Sequence, residues 1–176
     1  TINYSTSSTD SKTYCDTYTW VDGNTYTASN NTATYVYTNA AGCDSTVTLD
    51  LTINYSPNTT NILGVTNVGF LQTETYSVGQ NLNSLFSWHL NSGGVILNGI
   101  NTNSVEVQWG NNSGVYQLYV VETTQNSCSD TSFIEVNVNC LPTNNSLTAS
   151  ACNTYIWAID GNTYTTSGTY TNVSTN

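Results

Sequence analysis

Two short stretches, Cys15-Asp-Thr-Tyr-Thr-Trp20 and Asp22-Gly-Asn-Thr-Tyr-Thr27, decide the fold of this chain. Both reappear near its other end, as Cys152-Asn-Thr-Tyr-Ile-Trp157 and Asp160-Gly-Asn-Thr-Tyr-Thr165. A copied framework of cysteine, tryptophan and tyrosine indicates an array of similar modules. Each copy contains an Asp-Gly pair between two Thr/Tyr-rich runs, and that pattern predicts a two-strand hairpin with a type I′ turn. Aspartates at such turns are predicted to be turn formers.

The repeat also divides the chain into parts. Thr1-Ile-Asn-Tyr-Ser5 recurs as Thr52-Ile-Asn-Tyr-Ser56, so the first five residues are predicted to be the tail of a preceding module. The predicted parts are residues 1–5 (tail), 6–56 (repeat module stapled by a disulfide), 57–140 (a different domain) and 141–176 (an incomplete second copy of the repeat).

The composition favours strands and argues against anionic partners. Only 7% of the residues are charged, against roughly 25% in ordinary globular domains. Tyrosine, of which there are 13, and threonine favour β-structure. The formal net charge of −10 would repel phosphates and anionic lipid headgroups, which argues against nucleic acid and against direct membrane insertion.

The first module is predicted to contain strands at 17–20, 25–27, 34–38 and 46–53. In the last of these, Val47, Leu49, Leu51 and Ile53 alternate with polar residues, which is typical of a strand with one wet face.

The middle domain is predicted to be a β-sandwich. Seven apolar runs at short spacings are typical of such a fold, and Trp88 lies where a sandwich buries a central aromatic residue. The predicted strands are 62–68, 73–78, 85–90, 95–97, 104–109, 114–122 and 132–139. The fold class is therefore all-β, with tandem β-sandwich modules in an elongated array.

The five cysteines are interpreted as disulfide formers, which points to an oxidising compartment. Cys15 and Cys43 bracket one repeat, and a bridge between them would contribute roughly 3.6 kcal/mol in the chain-entropy model. Cys128 and Cys140 should not pair, because the intervening strand separates them by roughly 30 Å. Cys140 is a candidate to link the next module through Cys152. A zinc site is disfavoured, since the chain has a single histidine and no Cys-x-x-Cys spacing.

The middle domain and the flanking repeat each resemble a known family of domains. Three stretches of the middle domain resemble the PKD-like, immunoglobulin-fold domains of secreted Bacteroidetes surface proteins. They are Phe86-Ser-Trp-His-Leu-Asn-Ser-Gly-Gly94, Asn103-Ser-Val-Glu-Val-Gln-Trp-Gly110 and Gly114-Val-Tyr-Gln-Leu-Tyr-Val-Val-Glu-Thr123. The flanking repeat, with residues 35–53, resembles modules of very large adhesins and gliding-motility filament proteins of the same bacteria. The resemblance implies export by type IX secretion and a cell-surface location, and it carries over no catalytic residues.

Candidate chemistry is sparse, and the chain is predicted not to be an enzyme. His89 lies within a predicted strand and is expected to be a strand-face residue. Asp16 and Asp44 would approach each other across a Cys15–Cys43 bridge, but the second copy has Asn153 in place of Asp16. No cofactor is predicted, although calcium stays open because acidic, Asn-rich surfaces gather hard cations. Ser45, in Asp44-Ser-Thr46, matches a short O-glycosylation motif of Bacteroidetes.

Three function classes stay open. The first is a non-catalytic stalk or filament segment of a surface adhesin, whose partners are neighbouring modules of the same chain or fibre. The second is a carbohydrate-binding module that stacks surface glycans on five tyrosines of the first repeat: Tyr14, Tyr18, Tyr26, Tyr35 and Tyr37. The third is an accessory region of a secreted enzyme.

The alignment of the copies also predicts a missing strand. Aligning Cys152 with Cys15 places Asn176 on Asn39, four residues before Cys43. We therefore expect a cysteine near position 180 of the parent protein, followed by a strand like residues 46–53. A filament subunit that completes its neighbour by strand exchange is the further alternative.

Overall fold

The computed structural model describes residues 2, 4–140 and 147–172 of the 176-residue chain. The described residues form an all-β fold without a helix, and they contain no helix of the length and hydrophobicity that a membrane crossing requires. The strands are β1 (Thr6–Cys15), β2 (Tyr18–Thr19), β3 (Thr25–Tyr26), β4 (Thr34–Thr38), β5 (Asp44–Asn54), β6 (Asn67–Gly69), β7 (Thr73–Ser77), β8 (Leu85–Leu90), β9 (Gly94–Asn98), β10 (Ser104–Trp109), β11 (Gly114–Thr123), β12 (Ser129–Asn139), β13 (Tyr155–Ile156) and β14 (Thr163–Tyr164).

The first module is built around β5, which lies between β1 and β4 in one sheet. Its alternating pattern predicts the buried face correctly, because Leu49, Leu51 and Ile53 are buried together with Trp20. β1 pairs with β5 in parallel over ten residues and was not predicted. Its side chains are mostly exposed, so the backbone ladder holds it, aided by the Trp20 Nε1–H, which donates to Asp10 at 2.9 Å.

β2 and β3 form the predicted hairpin, but the turn between them is not the predicted type I′ turn. A type I′ turn needs positive φ at both central residues, and in this loop only Gly23 has one, at 83°. The loop is instead closed by the Asp22 carboxylate, which accepts hydrogen bonds from the Asn24 backbone N–H at 3.0 Å and from the Tyr26 hydroxyl at 2.7 Å.

The middle domain is a sandwich of two sheets with strand orders β7-β10-β9 and β6-β12-β11-β8. These are the seven predicted strands, with ends displaced by a few residues and the first reduced to residues 67–69. Trp88 is 1% exposed, which confirms the predicted central aromatic residue. A second tryptophan, Trp109, donates through its Nε1–H to the buried Tyr76 hydroxyl at 3.1 Å. Burial raises the pKa of Tyr76 to about 12.

The second copy of the repeat forms only the β13–β14 hairpin within residues 147–172. None of these residues is buried. The expected cysteine near position 180 lies beyond the sequence, and Asn176 lies outside the described residues.

Candidate functional site at the junction of the first module and the sandwich

A disulfide between Cys15 and Cys128 joins the first module to the sandwich. Cys15 is the last residue of β1, and Cys128 ends the short turn that connects β11 to β12. The two Cα atoms are 5.6 Å apart, and Cys128 is 1% exposed. The bridge closes a span of 113 residues that contains the rest of the first module and most of the sandwich.

The predicted bridge between Cys15 and Cys43 is therefore wrong. The parallel register places Cys15 beside Asn54, whereas Cys43 precedes the opposite end of β5. Eleven residues of strand correspond to about 36 Å, against about 6 Å for a disulfide. Cys43 is a half-buried free thiol.

Of the two other predictions about cysteine pairing, one is confirmed and one is not. Cys128 is bonded to Cys15, so it does not pair with Cys140, as the length of the intervening strand predicted. Cys152 is an exposed thiol without a disulfide among the described residues, so the predicted Cys140–Cys152 link is absent from this structure. Placing the correct partner of Cys15 needed the position of the β11–β12 turn beside the end of β1, which the cysteine spacings do not encode.

Polar contacts surround the disulfide on the side of the first module. Asp16 has a φ of 62°, a left-handed conformation that aspartate tolerates better than most residues. Its carboxylate accepts hydrogen bonds from the Ser56 backbone N–H at 2.9 Å and from the Ser56 hydroxyl at 2.7 Å. Asn126, in the turn before Cys128, donates to the Asn54 side chain at 3.0 Å. The segment after β1 is thus fastened to Ser56, and the end of β5 is fastened to the sandwich.

A buried carboxyl group lies farther inside the same end of the sandwich. Glu122 is fully buried, and one of its oxygens accepts a hydrogen bond from Asn81 at 2.7 Å while the other has no partner. The strand register places it opposite Asp130, which accepts a hydrogen bond from the Thr59 backbone N–H at 3.0 Å. The sequence pattern missed this group, although its inward position follows from the alternation of Leu118, Val120 and Glu122.

The Asp16 contact predicts a loss of stability in acid. Hydrogen bonds from Ser56 lower the pKa of the Asp16 carboxyl below its usual value. A lowered folded-state pKa stabilises the fold above the unfolded pKa, and this contribution is lost as the pH falls through the folded-state pKa. We expect the Asp16→Asn variant to lose less stability than the wild type between about pH 6 and pH 3. Urea unfolding at both pH values measures this.

The substitution is conformationally mild, because Asn153 occupies the matching position of the second copy with a φ of 69°. The control is Asp44→Asn, an exposed aspartate at the other end of β5. Equal pH dependence in wild type and Asp16→Asn would show that the Ser56 contact does not contribute to acid sensitivity.

Two other predicted site residues lie away from the junction. Ser45 is half-buried on β5, and its hydroxyl accepts a hydrogen bond from the Thr6 hydroxyl at 2.8 Å. Its O-glycosylation stays a prediction. His89 lies on the exposed face of β8, as expected of a strand-face residue, and its ring stacks on Tyr119 with centroids 4.8 Å apart. Its Nε2 is 3.0 Å from the Ser87 hydroxyl oxygen.

The five tyrosines considered for glycan stacking do not form one surface. Tyr18, Tyr26 and Tyr35 pack partly against the core of the first module. Tyr14 and Tyr37 are 46% and 42% exposed. They are aligned with Ile53 and Ser45 of β5, about 26 Å apart along the strand.

In the described part of the chain, no group of three His, Cys, Asp or Glu side chains is placed to hold a metal ion. Calcium binding stays a prediction. The expected approach of Asp16 and Asp44 is wrong for the same reason as the bridge. Asp44 begins β5, whereas the Asp16 backbone N–H donates to the Asn54 carbonyl at the other end of that strand.

The comparisons with known proteins support the sandwich. Residues 55–138 match the family model of the PKD-like domain, close to the predicted domain at 57–140. That match and the disulfide fit a structural or adhesion-type module outside the cell. The division of the whole chain into four parts stays a prediction. A search of curated proteins gives no match.

Two solved structures show limited similarity. The human desmocollin-1 ectodomain is 15% identical over 66% of this chain and 23% of that one, with a TM-score of 0.32. A chimeric titin Z1Z2-Z1Z2 tandem carrying a fibronectin GRGDS peptide is 17% identical over 68% of this chain and 81% of that one, with a TM-score of 0.31. The chain thus spans less than a quarter of the desmocollin ectodomain, and neither structure defines how the modules of this chain are arranged.

Proposed function

We propose that this chain is a non-catalytic structural segment of a large cell-surface adhesin, in which disulfide-joined modules form a stalk. The observation that carries the proposal is the Cys15–Cys128 bridge, which connects two modules with separate buried clusters. The resemblance of the repeats to Bacteroidetes adhesins and gliding filaments extends the proposal to adhesion or gliding after type IX export. Neighbouring modules of the same chain or fibre are the proposed partners.

The bridge gives the stalk a defined path for force. A pull along the chain enters β1, crosses the disulfide at Cys15 and leaves along β12 toward Asn139. The 113-residue span between the cysteines is bypassed, so it cannot extend while the bridge is intact. Most of the sandwich core lies within this span and is protected from extension.

Single-molecule stretching of the oxidised and the reduced chain tests the proposal. We expect the reduced chain to extend about 400 Å farther, since a stretched residue spans at most about 3.5 Å. We also expect the oxidised chain to resist its first extension at a force at least as high as that of the reduced chain. A lower first force in the oxidised chain would contradict a mechanical role for the bridge.

Binding of surface glycans is the second candidate function, supported by the exposure of Tyr14 and Tyr37. The wide spacing of these two rings favours the structural function. A glycan array separates the two, because glycan binding that is lost in a Tyr14→Ala/Tyr37→Ala variant would favour the binding module. The accessory region of a secreted enzyme is the third candidate, and only the parent reading frame would identify a catalytic domain.

A further inference from the structure

The two copies of the repeat share a hairpin with the same internal hydrogen bonds. In the first copy the Trp20 backbone N–H donates to the Asn24 carbonyl at 3.1 Å, and in the second the Trp157 N–H donates to the Asn162 carbonyl at 3.0 Å. The tyrosine on the second strand donates its hydroxyl to the turn aspartate in both copies. The hairpin therefore forms in the same way whether or not a sheet covers it.

The copies differ in what covers this hairpin. In the first, Leu49, Leu51 and Ile53 of β5 complete the core, and Trp20 is 3% exposed. In the second, Trp157 stays partly exposed and none of residues 147–172 is buried. Residues 147–151 align with residues 10–14, near the end of β1, yet they form no strand. This is consistent with the first copy, in which β1 bonds only to β5.

We infer that residues 147–172 form an acceptor for one added β-strand of the β5 type. The occupant is an extended segment with apolar side chains at alternate positions, as in Val47-Thr-Leu-Asp-Leu-Thr-Ile53. The inward-facing side chains of this strand pack on the aromatic face of the hairpin, which comprises Tyr155, Trp157 and Tyr164. Its backbone groups give residues 147–151 the partner that β5 gives to β1.

The first module, which is the complete copy of the repeat, shows what kind of strand the second copy would accept. Three of the four buried residues of the first module come from β5, so the core cannot close without that strand. An added strand gains main-chain hydrogen bonds and buries side chains at every second position, which is the general mode of strand addition. The inference deepens the proposed stalk, since it describes how one repeat is completed, but it rests on the two repeat copies and not on the disulfide.

The test is a titration of the ¹⁵N-labelled chain with a synthetic peptide of residues 44–54. We expect signals of residues 147–172, including the Trp157 indole N–H, to shift and to become protected from hydrogen exchange. A peptide with asparagine at positions 49, 51 and 53 should bind at least tenfold more weakly. Absence of binding at millimolar peptide, or equal binding of the two peptides, would overturn the inference.

Two chain variants locate the binding. Trp157→Ala should weaken binding at least tenfold, whereas Ile156→Ala, on the exposed opposite face of the hairpin, should leave it unchanged. Shifts confined to residues 6–54 would mean that the peptide replaces β5 in the first module, and this would also overturn the inference. Failure of the peptide to bind would leave the disulfide-joined unit and its stretching behaviour intact, so the two proposals fail separately.

Discussion

Replacing both Cys15 and Cys128 with alanine will lower the free energy of unfolding by up to about 4.8 kcal/mol, the chain-entropy value for a loop of 113 residues. The first module should lose most, because its core has only four buried residues, and the Cys15–Cys128 bond is the disulfide that fastens it to the sandwich. We expect calorimetry to show one transition in the oxidised wild type and two in the double variant. The earlier transition belongs to the first module.

The control is Cys43→Ala, which removes a half-buried thiol that is not in the bridge. It should keep the single transition. Peptide mapping without reduction should recover Cys15 linked to Cys128. Recovery of a Cys15–Cys43 peptide, or an equal loss of stability in Cys43→Ala, would contradict the strand register that separates those two residues.

Sequence patterns predicted those strands whose own side chains are buried. β8 and β10 have the predicted ends, since buried apolar residues on one face mark each of them. β1 was missed because its side chains are polar and exposed, and it becomes a strand only through backbone pairing with a segment 39 residues away. Non-local pairing of this kind leaves no period in the local sequence.

The junction was also beyond reach of the sequence, for a related reason. The spacing of Cys15 and Cys43 indicates a local staple, but the parallel register carries the two residues to opposite ends of β5. Strand length excluded the pairing of Cys128 with Cys140, but with five cysteines in the chain this did not identify Cys15 as the partner of Cys128. The alternation of Leu118, Val120 and Glu122 does place the Glu122 carboxyl group inward, but charged residues are seldom fully buried, so the pattern alone does not predict its burial.

Replacing Trp88 with alanine is expected to cost about 3–5 kcal/mol, the usual range for loss of a large aromatic side chain from a core. Trp88 is 1% exposed, and it packs in the core between the two sheets of the sandwich. Its Nε1–H donates to the Thr102 carbonyl at 2.8 Å, in the loop that leads into β10. The variant therefore loses both core volume and the contact that fixes this loop.

Two further variants separate these contributions in urea unfolding. Trp88→Phe keeps most of the volume and loses the hydrogen bond, so it should cost about 1–3 kcal/mol. Phe133→Ala removes an aromatic side chain that is 61% exposed on β12, and should cost under about 1 kcal/mol. Since the disulfide ties the sandwich to the first module, Trp88→Ala should also unfold the first module at lower urea. If Trp88→Ala cost no more than Phe133→Ala, Trp88 would not be the central residue of the sandwich core.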